Sequence, residues 1–144
     1  GANATVLRWN GAVWANANIG INTTATMRAI WGTSLADLWV VGDKGNTFRW
    51  VVDGWSQRTT GTALDLRTVH GRSGTDVWAA GDGGLVLRWN GSQWSTVTTG
   101  TGMPIQNLFT FPTEVWIVGE NADEPTAMRF DGMLWRTFTQ TTKY

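Results

Sequence analysis

Short runs of β-branched and aromatic residues alternate with glycine-containing turns along this chain of 144 residues. In the clearest stretch these runs cover residues 66–70, 76–80, 86–89 and 95–99. Each run has the length and composition of a β-strand, and Gly71 and its counterpart Gly32 are expected to end the first strand of their units. No stretch has the periodicity of a helix, so the pattern predicts an all-β chain.

The pattern of runs and turns repeats. An acidic residue, an apolar residue and a tryptophan form a triplet that ends at Trp39, Trp78 and Trp116, at intervals of 39 and 38 residues. Ten of the 11 tryptophans fall into repeated columns and are expected to fill the space between stacked sheets. These ten are Trp9, Trp14, Trp39, Trp50, Trp55, Trp78, Trp89, Trp94, Trp116 and Trp135. Four strands in about 40 residues predict one four-stranded β-propeller blade per repeat.

One unit carries the sequence GTDVWAAGDGG at residues 74–84 and LRWNGSQW at residues 87–94. These motifs resemble the short repeats of the photosystem-assembly-factor-like and bacterial-neuraminidase-repeat-like β-propellers, including the Trp-rich type of myxobacteria. The resemblance covers nearly the whole chain and implies a propeller from a secreted or cell-surface bacterial protein, with no particular ligand. The turn before Trp94 lacks the leading serine of an Asp-box and is one residue shorter, so no residue role is carried over from neuraminidases.

Hairpin turns are predicted where Asn or Asp precedes glycine, at Asn10, Asp53, Asn90 and Asp131. Such a pair is the strongest short hairpin signal, because a type I′ turn needs positive φ at both central positions. Asp53 departs from the pattern, since its glycine directly precedes Trp55.

The repeat begins in the middle of a unit. Residues 1–24 are predicted to form a half blade of third and fourth strands, and residues 25–63, 64–102 and 103–144 one blade each, the last ending near Thr142. This half blade lacks the two inner strands of a complete blade. Propellers normally need at least four blades to close, so three and a half blades are not expected to form a complete ring alone. The expectation is a ring completed by self-association, with a homodimer favoured because twice three and a half is seven, or a segment of a longer propeller.

Charged residues also fall into repeated columns. Antiparallel pairing of the second and third strands would bring the acid of each triplet next to the arginine before the third-strand aromatic residue. The expected pairs are Asp37 with Arg49, Asp76 with Arg88, and Glu114 with Arg129. Pairing of the first and second strands would likewise join Arg28 to Asp43 and Arg67 to Asp82. Arg8 lacks an acidic counterpart, a second indication that part of the half blade comes from elsewhere.

Composition excludes several classes of function. Eleven basic residues balance 11 acidic ones, so the chain carries no electrostatic footprint for nucleic acid. No apolar run approaches the roughly 18 residues of a membrane helix, so membrane insertion is not expected. The lack of cysteine rules out disulfides and thiolate metal sites, and no cofactor is implied.

Catalysis is not expected either. The single histidine, His70, occupies the column of Trp31 and Phe109, which favours a packing role over a role as ligand. One histidine does not make a zinc site, and most acids have a repeat counterpart, whereas catalytic carboxylates should be unique to one unit. The sequence therefore predicts no catalytic and no metal-binding residues.

A binding or scaffolding module is the favoured class, with a protein or a carbohydrate as ligand. The loops after the second strands and between units open on the face where propellers host ligands. Candidate ligand-binding residues there are Arg28, Trp31, Asp43, Arg67, His70, Asp82 and Glu120. The acidic insertion at residues 120–125 breaks the repeat and marks either a partner site or a tolerated surface loop.

The alternative function is that of a multivalent lectin. Tryptophans exposed at repeated positions would stack on sugar faces and bind with avidity. The exposure of one column separates the two functions, because a lectin of this kind needs these rings at the surface, whereas a scaffold buries them between blades. The column consists of Trp14, Trp55, Trp94 and Trp135.

Overall fold

A computed structural model describes residues 2–121 and 124–139. In these residues 14 strands form one two-stranded sheet and three four-stranded sheets, all antiparallel. Each four-stranded sheet is built from four strands that follow one another in the chain. The predicted all-β architecture of three four-stranded units preceded by a hairpin is confirmed.

The sheets are named here in chain order. The half blade is β1 (Leu7–Trp9) and β2 (Trp14–Asn16). The first blade is β3 (Met27–Ser34), β4 (Asp37–Gly42), β5 (Thr47–Val51) and β6 (Gly54–Gln57). The second blade is β7 (Leu66–Ser73), β8 (Asp76–Gly81), β9 (Val86–Trp89) and β10 (Trp94–Thr96). The third blade is β11 (Ile105–Thr110), β12 (Val115–Asn121), β13 (Glu124–Phe130) and β14 (Trp135–Thr139). The predicted end of the last strand near Thr142 lies outside the described residues.

The first strands run further than predicted. Gly32 and Gly71 do not end β3 and β7, which continue to Ser34 and Ser73 through a register shift after each glycine. A Cβ on Gly71 would lie 2.6 Å from Cη2 of Trp31, so this glycine permits a close approach between two blades. The glycine signal reflects packing rather than strand termination.

The fourth strand of the second blade is shorter than predicted. It covers Trp94–Thr96 instead of residues 95–99. The hydroxyl of Thr99 donates a hydrogen bond of 3.0 Å to the carbonyl oxygen of Gly84, which ties the chain to the preceding turn instead of extending the ladder.

The type I′ prediction for the hairpin turns is wrong. At Asn10, positive φ is confined to the following Gly11, at 102°. The Asn10 side-chain oxygen accepts hydrogen bonds of 2.9 Å from the backbone N–H groups of Ala12 and Val13, and Asn90 and Asp131 form the same type of turn. These are longer Asx-type turns, in which the side chain caps the loop. The turn near Asp53 is centred one residue earlier, because Gly54 already belongs to β6.

The core consists of one apolar cluster at each contact between neighbouring sheets. Trp39, Val69 and Trp89 belong to the cluster between the first and second blades. Trp78 and Ile117 belong to the cluster between the second and third blades, and Phe48 lies in the cluster that joins the half blade to the first blade. Interdigitating side chains from facing sheets are the usual core of stacked antiparallel sheets.

Candidate functional site

A row of fixed charges runs along the first strands of the blades. Arg28 Nε donates a hydrogen bond to Asp43 Oδ1, and Arg28 Nη2 lies 3.5 Å from Asp65 Oδ2. The hydrogen bond from Arg28 is the main cause that holds the pKa of Asp43 below its ordinary value, since it favours the charged carboxylate. In the next blade Arg67 Nε lies 2.6 Å from Asp82 Oδ1. Both pairs confirm the sequence prediction.

Two polar neighbours of this row were not anticipated. Asp65 precedes β7 directly and reaches back to Arg28 and to the backbone N–H of Lys44, 2.9 Å away. Gln106 accepts a hydrogen bond of 3.1 Å from Arg67 Nη1. Gln106 stands in β11 at the place that Arg28 and Arg67 occupy in their strands, so the repeat alignment carried a signal for it.

An aromatic ladder crosses the same three strands. The rings of Trp31 and His70 have centroids 5.8 Å apart, those of His70 and Phe109 4.1 Å, and those of Phe109 and Phe111 4.9 Å. The ladder starts three residues after the charged row on β3 and β7, about 10 Å along a strand. Phe109 remains 49% exposed, so the ladder presents apolar surface to solvent.

His70 is held as a neutral side chain. Its Nδ1 accepts a hydrogen bond of 3.2 Å from the backbone N–H of Thr110, and the Thr110 hydroxyl lies 2.8 Å away. Because Nδ1 is an acceptor, the ring proton sits on Nε2. Burial lowers the pKa of His70, since it disfavours the charged form. These contacts fit the packing role inferred from its column.

Glu120 occupies in the third blade the position of Asp43 and Asp82, directly after the glycine that pairs with the first residue of the first strand. It is exposed on β12, opposite Pro125 in the ladder, and makes no ion pair within the described residues. Ala122 and Asp123 of the insertion lie outside the described residues. The structure therefore brings six of the seven candidates into two rows, the charged row and the aromatic ladder, while Glu120 lies at the strand position of Asp43 and Asp82 without an ion pair among the described residues.

The acid of each triplet pairs with its arginine, as predicted. The Asp37–Arg49, Asp76–Arg88 and Glu114–Arg129 pairs have N to O distances of 2.8, 2.7 and 3.3 Å. Asp76 also pairs with Arg72 at 2.7 Å, a contact that the repeat did not indicate. Partly buried pairs of this kind hold strands in register.

Similarity to known proteins lies in structure rather than in sequence. No family model and no curated protein matches the sequence. One similar solved structure is YCF48 bound to a D1 peptide, with a TM-score of 0.66 and 18% identity over 83% of this chain and 42% of that chain. Another is the WD40 β-propeller domain of Doa1, with a TM-score of 0.65 and 14% identity over 91% of this chain and 43% of that chain. The fold is a β-propeller. The chain spans less than half the length of each of these structures.

The tryptophans of the Trp14, Trp55, Trp94 and Trp135 column are buried where a neighbouring sheet packs on them. Trp55 and Trp94 are only 5% and 7% exposed, whereas Trp14 in the half blade is 65% exposed. Trp135 is intermediate. Two of the four rings therefore cannot offer a stacking surface to a sugar.

The described residues contain no group of three or more His, Cys, Asp or Glu side chains placed to hold a metal ion. No helix among the same residues has the length and apolarity that crossing a bilayer requires.

Proposed function

We propose that this propeller segment is a non-enzymatic scaffold that binds an extended protein segment across the first strands of its blades. Support comes from the two rows of side chains on those strands. The aromatic ladder offers exposed rings such as Phe109 to apolar side chains, and the charged row offers Arg67 and Gln106 as hydrogen-bonding groups about 10 Å away. A peptide strand is long enough to contact both rows, and one structural neighbour was solved with a peptide bound.

The state of the ionisable groups favours binding over catalysis. Arg28 and Arg67 are held in ion pairs, and His70 uses Nδ1 as an acceptor from Thr110. General acid–base chemistry needs a group that is free to exchange a proton with a substrate. Fixed and neutralised groups instead provide a preorganised surface, which lowers the entropic cost of binding.

We expect an array of extended peptides to contain binders that depend on both rows. Phe109→Ala and Arg67→Gln should each weaken the affinity of such a peptide about tenfold, because one removes an exposed aromatic contact and the other a charged donor. Arg136→Gln is the matched control, since Arg136 lies on β14 of the third blade, outside both rows. Affinity is measured by titration calorimetry.

The result that would contradict this function is an array without binders, or with binders that respond equally to all three substitutions. A glycan array measured in parallel tests the lectin alternative. The exposed pair Trp9 and Trp14, with centroids 5.7 Å apart, is the observation that favours sugar binding, at one site instead of repeated sites. Sugar binding that Trp14→Ala abolishes, without peptide binding, would establish that alternative.

We also propose that copies of the chain associate head to tail. Inside the chain, Trp39 of the first blade packs on Trp89 and Trp94 of the second, with ring centroids 5.1 and 5.3 Å apart. Trp116 is the corresponding residue of the third blade, and Trp9 and Trp14 correspond to the receiving pair. Packing of Trp116 of one copy on these two rings of another would repeat the internal contact, as heterologous interfaces do.

Light scattering after size exclusion should then give a mass above that of one chain at about 50 µM, a concentration at which weak interfaces form. Trp14→Glu should reduce the mass to that of a monomer by placing a charge in the contact. Val52→Glu is the control, because Val52 is exposed in the turn between β5 and β6 and belongs to neither the half blade nor the third blade. A monomeric mass for the unsubstituted chain would refute self-association.

A further inference from the structure

A groove lies between the half blade and the first blade. It joins two cavities of about 200 and 270 Å³, which share Val6, Leu7 and Ile30 in their walls. One edge of β1 faces β2, and its other edge has no strand beside it among the described residues. A strand edge with free N–H and C=O groups is a template for a further strand.

The contact between the first and second blades shows how the tryptophan of one triplet is buried between two sheets. Trp39 is fully buried, with Arg49 Cζ 5.3 Å from its ring centroid and Trp89 and Trp94 in T-shaped contact with it. Val69 and Val77 belong to the same cluster. The acid of the triplet, Asp37, binds the arginine that covers the ring.

The second and third blades repeat this socket. Arg88 Cζ lies 5.3 Å from the Trp78 ring and pairs with Asp76. The ring centroid of Phe130 lies 5.9 Å from that of Trp78. Leu108, Val115 and Trp135 belong to the same cluster, at the positions that Val69, Val77 and Trp94 hold in the other socket. The two tryptophan sockets therefore have the same composition: an arginine over the ring, two aliphatic side chains and two aromatic ones.

The larger of the two cavities is lined by the same five kinds of side chain. Arg8, Ile30, Leu38, Trp50 and Trp55 line it, at the repeat positions of Arg49, Val69, Val77, Trp89 and Trp94. Trp9 and Trp14 also border it. The described residues provide neither a tryptophan for its centre nor an acid for Arg8, which forms no ion pair there and is exposed.

We propose that this groove is a strand-acceptor site for a polypeptide segment with the sequence acid, apolar residue, tryptophan. The segment adds to the free edge of β1, as in β-augmentation, its carboxylate pairs with Arg8, and its indole packs on Trp50 and Trp55. The groove shares Arg28, in the wall of its smaller cavity, with the charged row, but it contains neither Phe109 nor Arg67 and does not depend on the scaffold function.

A folded second copy is not the occupant. Its own triplets lie in β4, β8 and β12, and each of these strands is hydrogen-bonded to a neighbour on both sides. Moving one of these strands into the groove of another copy would break the hydrogen bonds that it makes in its own blade. The occupant is therefore a segment of this repeat type that is not already part of a complete sheet.

The probe is a fluorescein-labelled synthetic peptide with the sequence of residues 73–82, SGTDVWAAGD, added to the full chain. Fluorescence anisotropy should show saturable binding. Arg8→Gln in the chain should weaken it about tenfold or more, and so should Trp78→Ala or Asp76→Asn made in the peptide. Arg136→Gln in the chain is the control and should leave the affinity unchanged.

A second readout identifies the strand edge. The backbone N–H groups of Val6, Arg8 and Asn10 point towards β2. Those of Leu7 and Trp9 alternate with them and point to the free edge of β1. Bound peptide should slow hydrogen exchange at Leu7 and Trp9, measured by NMR. Exchange within the already paired β8 serves as the internal reference.

Three results would overturn the strand-acceptor site. The first is that the full chain does not bind the peptide. The second is a peptide affinity that neither Arg8→Gln in the chain nor Trp78→Ala in the peptide changes, which would indicate apolar adsorption. The third is a chain dimer that Arg8→Gln dissociates and that excludes the peptide, since a second copy would then fill the groove. None of these results bears on Phe109 or Arg67, so failure here and failure of the scaffold function are separate.

Discussion

Replacing Trp39 with alanine should lower the free energy of unfolding by about 3–5 kcal/mol, the usual cost of truncating a buried tryptophan. The ring is completely buried between two blades and touches Trp89, Trp94 and the guanidinium of Arg49. The hydrogen-bonded sheets on both sides cannot close over the space that the indole leaves, so the lost contacts add to the lost burial. Urea denaturation followed by circular dichroism measures the change.

Trp14→Ala is the control for this substitution. Trp14 has the same side chain and lies in a repeated column, but it is 65% exposed. Its replacement should change the free energy of unfolding by less than about 0.5 kcal/mol. The measurement is made at a concentration where light scattering gives the mass of one chain. Equal losses for the two variants would mean that inter-blade burial of tryptophan does not dominate stability.

The repeat made the strand pairing and the ion pairs predictable. Columns of Trp, Arg and acid recur at nearly constant intervals, and an antiparallel meander then leaves one register that repeats the same pairs in every blade. Asp37 meets Arg49, and Arg67 meets Asp82, because each member sits at a strand position that the register fixes. Such contacts are local in sequence, 12 and 15 residues apart.

Strand ends and turns were harder to predict because contacts between blades decide them. The glycine pattern predicts a strand end at Gly71, although its small size serves the approach of Trp31 from the neighbouring blade. Asn10 followed by glycine predicts a type I′ turn, although the Asn10 side chain caps two backbone N–H groups and so stabilises a longer loop. Single-sequence rules do not include these competing interactions.

Most of the predicted residues came together in the two rows, whereas some of their neighbours and the groove did not follow from the columns. The charged row was predictable as far as Arg28 and Arg67, but Asp65 joins it from the connection between two blades, where no repeat constrains the residue. The groove beside β1 could be inferred only as a missing partner for Arg8. Its five walls come from the half blade and the first blade, so they are recognisable only once both are placed in space.

Replacing Asp76 with asparagine should lower the free energy of unfolding at pH 7 by about 1.5–3 kcal/mol, because it removes the charge from hydrogen bonds to two arginines. Asp76 Oδ2 lies 2.7 Å from Arg72 Nη1, and Oδ1 lies 2.7 Å from Arg88 Nε and 3.0 Å from Trp78 Nε1. Asparagine keeps one acceptor but offers no negative charge. Thermal or urea denaturation from pH 7 to pH 2.5 measures the difference between variant and unsubstituted chain.

The difference should depend on pH with a defined sign. Burial alone raises the pKa of Asp76, but the hydrogen bonds from Arg72 and Arg88 outweigh it and hold the pKa below its ordinary value. A carboxylate whose folded pKa is lowered stabilises the protein fully above its unfolded pKa of about 4 and loses this contribution as the pH falls through the folded pKa. The gap between the two proteins should therefore be constant from pH 7 to about pH 5 and shrink below about pH 4.

Asp53→Asn is the matched control, since Asp53 is exposed in the turn before β6 and forms no ion pair within the described residues. Its substitution should change stability little at any pH. A gap for Asp76→Asn that persists undiminished at pH 2.5 would show that shape, and not charge, sets the cost. In that case the arginines would hold β8 in register through packing over Trp78, where Arg88 and Arg72 already lie 5.3 and 5.8 Å from the ring centroid.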